Sequence, residues 1–208
     1  MGPYSFAPAM ECSHGIASMD HAVDGRIYCY KKDNQTYEIA FNGGRGYIEK
    51  DWGKSMPEAW IWLQSNSFDM VVEPASLSFS LARVPWQGKA FNGFICLLLA
   101  GGKEYRFASY TGACIDLLED EGATVRILLS DSRYKMEILV RQAKAGLLKA
   151  PEKGAMARQI SESLDSWMRV VLKRRRGSSD EIIFDATANV VGSELVGDLD
   201  SLNERSPR

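Results

Sequence analysis

From Ala59 to Phe68 the chain alternates without a slip. Trp60, Trp62, Gln64, Asn66 and Phe68 fall on one side, and Ala59, Ile61, Leu63, Ser65 and Ser67 on the other. A period of two sends successive side chains to opposite faces of a β-strand. The run before it, Tyr47 to Gly53, behaves the same way: Tyr47, Glu49 and Asp51 share one face, and Ile48, Lys50 and Trp52 share the other. Large rings gain most when buried, whereas unpaired charges are costly to bury. A strand-turn-strand unit lining a pocket accommodates both. Its aromatic and amide face suits an apolar ligand with a polar head. A sandwich core holding two hydrogen-bonded amides fits the same residues.

The rest of the chain reads as strand almost throughout. Gly25 to Tyr30 and Gln35 to Phe41 flank the hairpin signal Lys31-Lys32-Asp33-Asn34. Gly44 to Trp52 and Ala59 to Phe68 follow, then Ser76 to Val84 and Ala90 to Ala100, with Gly101-Gly102 turning into Lys103 to Ala108. Cys114 to Glu119, Thr124 to Ser130 and Tyr134 to Gln142 continue the series, and Trp167 to Lys173 with Glu181 to Val191 form a last hairpin. Ala155 to Leu164 comes nearest to a short helix. Many short strands with close turn signals predict an all-β fold, an antiparallel barrel or sandwich. Residues 1–24 read as an irregular leading segment, 25–191 as the β domain and 192–208 as a polar, fraying tail. Gly43-Gly44-Arg45-Gly46 lacks the Lys-Ser/Thr ending of a phosphate loop and reads as a bulge.

Bulk properties exclude several classes. The 208 residues carry a net charge of −2, which argues against a nucleic-acid binder with a basic face. The basic run Lys173 to Arg176 reads as the solvated end of a hairpin. The most apolar run, Phe94 to Ala100, is too short to span a bilayer and no signal peptide is visible, so the expectation is a cytoplasmic protein with at most peripheral membrane contact. The four cysteines include no Cys-x-x-Cys pair and there are two histidines, so no metal site is expected. Cys29 and Cys96 read as small buried hydrophobes.

The block Tyr47-x-Glu49-Lys50-x-Trp52-Gly53, then Pro57, then Trp60-x-Trp62-x-Gln64-x-Asn66-x-Phe68, resembles the tocopherol cyclase family. Met10 to Gly15, Ser18 to His21, Tyr105-x-Phe107, Met136 to Val140 and Trp167-x-x-x-Val171 extend the resemblance over nearly the whole chain at lower strength. It implies a pair of lipocalin-like β-units of which this chain holds the second. A missing first half would expose apolar surface, to be covered by self-association or by pairing with that half. The implied activity is proton-initiated ring closure, or hydration, of a prenylated quinol or related isoprenoid, with no cofactor consumed.

That chemistry needs a carboxyl kept protonated by burial, a base for the phenol and aromatic faces around a transient cation. Glu49 and Asp51 are the candidate acids. Glu11 and His14 form a second candidate acid–base pair, although their spacing puts them on opposite faces of any regular strand. Trp52, Trp60 and Trp62 are candidates for the apolar wall, and Gln64 and Asn66 for binding the quinol oxygens. Against this stand a structural Glu49 paired with Lys50 or Arg45, and tryptophans that merely pack. The alternative function is a non-catalytic carrier of a small hydrophobic molecule.

Overall fold

A computed structural model describes residues 2, 6, 10–69, 71–177 and 179–203. It contains twelve strands: β1 (Cys12–Tyr30), β2 (Thr36–Gly53), β3 (Trp60–Ser65), β4 (Ser76–Trp86), β5 (Lys89–Ala100), β6 (Lys103–Ala108), β7 (Cys114–Asp120), β8 (Thr124–Ser130), β9 (Tyr134–Arg141), β10 (Gly146–Glu152), β11 (Ala155–Arg174) and β12 (Glu181–Val196). One short 3₁₀ helix, Leu199–Asn203, follows. All strand pairing is antiparallel, as the alternation predicts, and no helix among the described residues is long and apolar enough to cross a membrane.

Strands β3 to β12 form one large sheet in the order β6-β5-β4-β3-β12-β11-β9-β8-β7, with β10 paired to β11. The sheet curls on itself without closing, since β6 and β7 are its two ends and do not pair. Its inner face is a continuous apolar core in which Phe79, Leu98 and Phe107 from one arm meet Ile127, Met136 and Ile138 from the other. Cys96 Sγ lies 3.6 Å from Met136 Sδ, and the Tyr105 and Tyr134 rings meet edge to face at 5.2 Å. Side chains therefore fill the centre of the interior, and a cavity of about 580 Å³ opens at one end of the curl, between β6 and the turn that joins β8 to β9.

Strands β1 and β2 form a separate two-stranded ribbon. Its turn is the expected one, with Lys31 N–H bonded to Gln35 O at 2.9 Å. The two strand segments expected on either side of Gly43 are a single strand, interrupted by a register shift opposite Val23–Gly25, where the glycine-rich run lies. The near half of the ribbon lies over the outer face of β3 and β4, held there by Tyr47 OH, 2.9 Å from Ser78 Oγ.

Three sequence expectations are corrected. Cys12 to Asp24, read as irregular, is strand, because its small and polar residues pair along β2 with bulges at three places. Ala155 to Leu164 is strand and not helix, since β11 pairs with β10 on one side and β12 on the other. The tail from Gly192 does not fray as far as Asn203. Strand β12 runs to Val196, Leu199 and Leu202 are buried in the core, and Asn203 Nδ2 donates to Leu118 O of β7 at 3.3 Å. The Ser201 carbonyl accepts from Asn92 Nδ2 at 2.9 Å, so this turn bridges β5 and β7 across the opening of the curled sheet. Residues 204–208 lie outside the described residues. Cys96 is fully buried as expected, while Cys29 on the ribbon is only half-buried.

Phe79 sits at the centre of the core with no solvent exposure. Phe79→Ala should therefore lower unfolding free energy by about 3–5 kcal/mol, read from the urea midpoint at unchanged slope.

Candidate functional site

Strand β3 is the floor of the site. Ile61 and Leu63 point into the core, and alternation turns Trp60, Trp62 and Gln64 to the outer face under the ribbon. Register places Trp62 beside Ser80 of β4 and Glu194 of β12, and Glu194 in turn beside Glu162 of β11. One row across four strands thus reads Ser80, Trp62, Glu194, Glu162. Gly192 makes room in the neighbouring row: a Cβ there would stand 2.8 Å from the Trp62 ring.

The ribbon supplies the roof. His14 of β1 is the register partner of Asp51 of β2, and Ile16 of Glu49. Between floor and roof lies a cavity of about 140 Å³. Cys12, His14, Glu49 and Asp51 line it from above, and Trp60, Trp62, Glu162 and Glu194 from below.

The polar groups are joined in two sets. On the roof, His14 Nδ1 and Asp51 Oδ1 are 2.7 Å apart, and the Tyr47 hydroxyl donates to the Glu49 carboxylate. On the floor, Trp60 Nε1 donates to Glu194 Oε2 at 2.5 Å. The Trp62 indole N–H favours the charged form of Glu49 electrostatically, yet it makes no hydrogen bond of ordinary geometry.

Burial with so many carboxylates shifts the titrations. Desolvation pushes Glu194 up to about 7, and the charges of Glu162, Asp51 and Glu49 add to the rise against the opposing Trp60 N–H. Burial also raises Glu49, with help from Asp51, while Tyr47, His14 and Trp62 pull the other way. For His14, burial alone would lower the pKa. The Asp51 hydrogen bond and the charges of Asp51 and Glu49 outweigh it, so the imidazolium is favoured. Cys12 is pushed up to about 11 by burial and by Asp51 and Glu11, which keeps it a neutral thiol. Glu194, Glu49 and His14 therefore each hold a proton more readily than they would in water. His14, Glu49 and Asp51 each offer an atom within 4.8 Å of the others, a spacing that could share a cation. In this structure the hydrogen bonds above already engage all three.

The structure brings together five of the residues singled out by sequence: Glu49, Asp51, His14, Trp60 and Trp62. It separates the others. Trp52 is on the opposite face of the ribbon, 49% exposed, with Lys50 Nζ 5.4 Å from its ring centre. The alternation that turns Glu49 and Asp51 inward requires this. Glu11 is exposed just before β1, and its carbonyl accepts from Lys54 N–H at 2.9 Å. Gln64 lies in the row beyond Trp62, its Nε2 buried without a partner among the described residues. Asn66 Nδ2 reaches Arg45 O at 3.4 Å and ties floor to roof. Glu162 and Glu194 were missed by sequence reasoning. The available signal was a lone glutamate inside Ser193-Glu194-Leu195-Val196, an otherwise apolar strand end that looked like the start of a polar tail.

Fold and site define an antiparallel β protein with a half-buried cleft of four carboxylates and one histidine on the outer face of its sheet. The sequence model of a family described as tocopherol cyclase-like matches residues 5–197, and the chain belongs to that family.

The elevated Glu194 carries a linkage consequence. Below about pH 4.5, its ordinary value, the carboxyl is protonated folded or unfolded. Between there and about 7 the unfolded chain releases the proton while the folded chain keeps it, so stability falls as pH rises. Glu194→Gln should abolish up to about 3 kcal/mol of this decline. Chemical denaturation at pH 5 and pH 8 measures it. A variant whose stability difference from the native chain is the same at both pH values would refute the assignment.

Proposed function

We propose that the cleft performs proton-initiated ring closure on a prenylated quinol or related isoprenoid. The observation that supports this best is the division of the cleft's titrating groups between two walls. Glu194, held by Trp60 on the floor, is protonated in a useful fraction at neutral pH. His14 and Asp51 form an acid–base pair on the roof.

In this reading Glu194 gives its proton to the alkene carbon that leaves a tertiary cation. The Trp60 and Trp62 faces shield that cation from water. The phenol oxygen closes the ring by forming its C–O bond to the cation. The phenolic proton passes to a roof carboxylate, Asp51 beside the His14 imidazolium or Glu49 beside Tyr47, and returns to Glu194 to complete the cycle. No electrons are exchanged with an outside reagent. Hydration, with water in place of the phenol, is the variant for substrates lacking a neighbouring hydroxyl. The lipocalin-like character and the place of this chain as the second of two such units belong to the same proposal.

Purified protein incubated with prenylated hydroquinones in deuterated buffer should give cyclised product carrying one deuterium, detected by mass spectrometry. Glu194→Gln should lower the rate at least about 100-fold. The rate of the native enzyme should fall as pH rises through about 7, because only protonated Glu194 is active. Labelled product formed equally well by Glu194→Gln would remove Glu194 from the mechanism. Ligand bound but returned unchanged would favour a carrier.

A further inference from the structure

At one end of the curl the apolar core gives way to charge. Gly101 and Gly102, at φ +56° and +66°, make the tight turn between β5 and β6, a conformation that glycine adopts freely. The turn starts β6 at Lys103, and alternation sends Lys103, Tyr105 and Phe107 to the same, inner face. Phe107 is sealed in the core, Tyr105 packs against it, and Lys103 is left exposed at the rim. On the other arm, Tyr134 heads the inward row of β9 that continues with Met136 and Ile138.

Lys103 joins the two arms. Its Nζ donates to the Tyr134 hydroxyl at 3.0 Å and stands 4.8 Å and 5.4 Å from the ring centres of Tyr105 and Tyr134. Asp131 accepts from the Arg133 and Tyr134 N–H groups, both at 2.6 Å, and so fixes the turn between β8 and β9. That turn puts the Arg133 guanidinium 5.8 Å from the Tyr134 ring centre. Lys103 and Arg133 both line the end cavity of about 580 Å³.

The neighbouring carboxylates are already engaged. Glu104 holds Arg106 at 2.7 Å, Asp180 holds Lys135 at 2.8 Å, and Glu181 holds Arg176 at 2.6 Å and Arg174 at 3.5 Å. Lys103 and Arg133 make no ion pair among the described residues. The Lys103 hydrogen bond, with the charges of Arg174 and Arg133, lowers the Tyr134 phenol against the opposing effect of desolvation. Accepting from Lys103 leaves that hydroxyl its own hydrogen to donate, and Ser132 adds a second hydroxyl to the wall. Two cations without counter-ions and two hydroxyl donors around one opening suit a doubly charged anion; a single carboxylate would leave one cation unmet. The cavity is larger than a bare phosphate needs and falls in the range of small-molecule sites.

We propose that the end cavity binds a phosphate monoester, its phosphate held by Lys103, Arg133 and the Tyr134 hydroxyl, and its organic part in the remaining volume. A soluble ester and a lipid headgroup share this chemistry. The site opens from the inner face of the curl and the acid cleft lies on the outer face, so the inference stands independently of the proposed function.

The test is isothermal titration of the full chain at fixed ionic strength with glycerol 3-phosphate, inorganic phosphate and acetate. Both phosphates should bind, and acetate roughly tenfold more weakly. Lys103→Gln and Arg133→Gln should each weaken the phosphates about tenfold or more. Lys135→Gln, which removes a cation already met by Asp180, should change affinity by less than about twofold. In the native chain, saturating glycerol 3-phosphate should protect Lys103 and not Lys135 from acetylation, mapped by mass spectrometry, which removes dependence on a variant's folding. Sedimentation with phosphatidylcholine vesicles containing phosphatidic acid separates the two sources. Retention that is lost in Lys103→Gln assigns the lipid headgroup, and otherwise the soluble ester is the ligand. Absence of binding by either phosphate, acetate bound as tightly as phosphate, an equal loss in all three variants, or an unprotected Lys103 would overturn the proposal.

Discussion

Strand β3 is buried on both sides, and the rest of the molecule follows from that constraint. Ile61 and Leu63 are sealed in the core of the curled sheet, so Trp60 and Trp62 must turn outward, where a sheet face would ordinarily meet water. Two adjacent indoles cannot be left there cheaply. The ribbon covers them, joined to the sheet by Tyr47 at Ser78 and by Asn66 at Arg45. The loop after β2 fixes the rim. Met56 N–H donates to Pro151 O at 3.1 Å, and Gly154 N–H to Lys54 O at 2.8 Å. The chain thus has two apolar layers of different kinds. The inner one is apolar and closely packed. The outer one is built with polar side chains and keeps a cavity.

That difference explains why the proposed chemistry falls on the outer face. Side chains from both arms of the sheet fill the inside of the curl, and polar partners there are few. Under the ribbon, three of the four carboxylates that line the cavity have a hydrogen-bond partner aimed at them. Glu49 has Tyr47, Asp51 has His14 and Glu194 has Trp60. Such an arrangement is a poor way to gain stability, because carboxylates gathered in a half-dry space repel one another. A fold that spends stability in one place and packs conventionally elsewhere marks that place as the candidate site.

Much of this was legible in the sequence, for a stated reason. Alternation is a local property, and it placed Glu49 with Asp51 and Trp60 with Trp62 on common faces, as the structure has them. It also put Trp52 on the face opposite Glu49, and the structure keeps it there. What alternation could not supply was register between distant strands. Glu194 meets Trp62 across a sequence separation that no local pattern records, and Glu162 joins only through β12. The same blindness made 192–203 look like a loose tail. Its leucines are spaced to plug a gap that exists only after β5 and β7 have been brought near each other. Residues 12–24 failed for the converse reason. Their bulges break the period of two, so a strand that follows its partner with three register shifts reads as irregular.

The position of the two acids on separate elements also bears on how the cleft can work. Glu194 is set by the sheet, the most constrained part of the molecule, and its partner Trp60 belongs to the strand buried on both faces. His14 and Asp51 are set by the ribbon, which pairs only with itself and reaches the sheet through side chains. In the proposed reaction the sheet would hold the acid and the ribbon the groups that receive the phenolic proton, and each wall keeps its own hydrogen-bonded pair. The acid–base asymmetry of the cleft is therefore a property of the topology, carried by which strand each carboxylate is on.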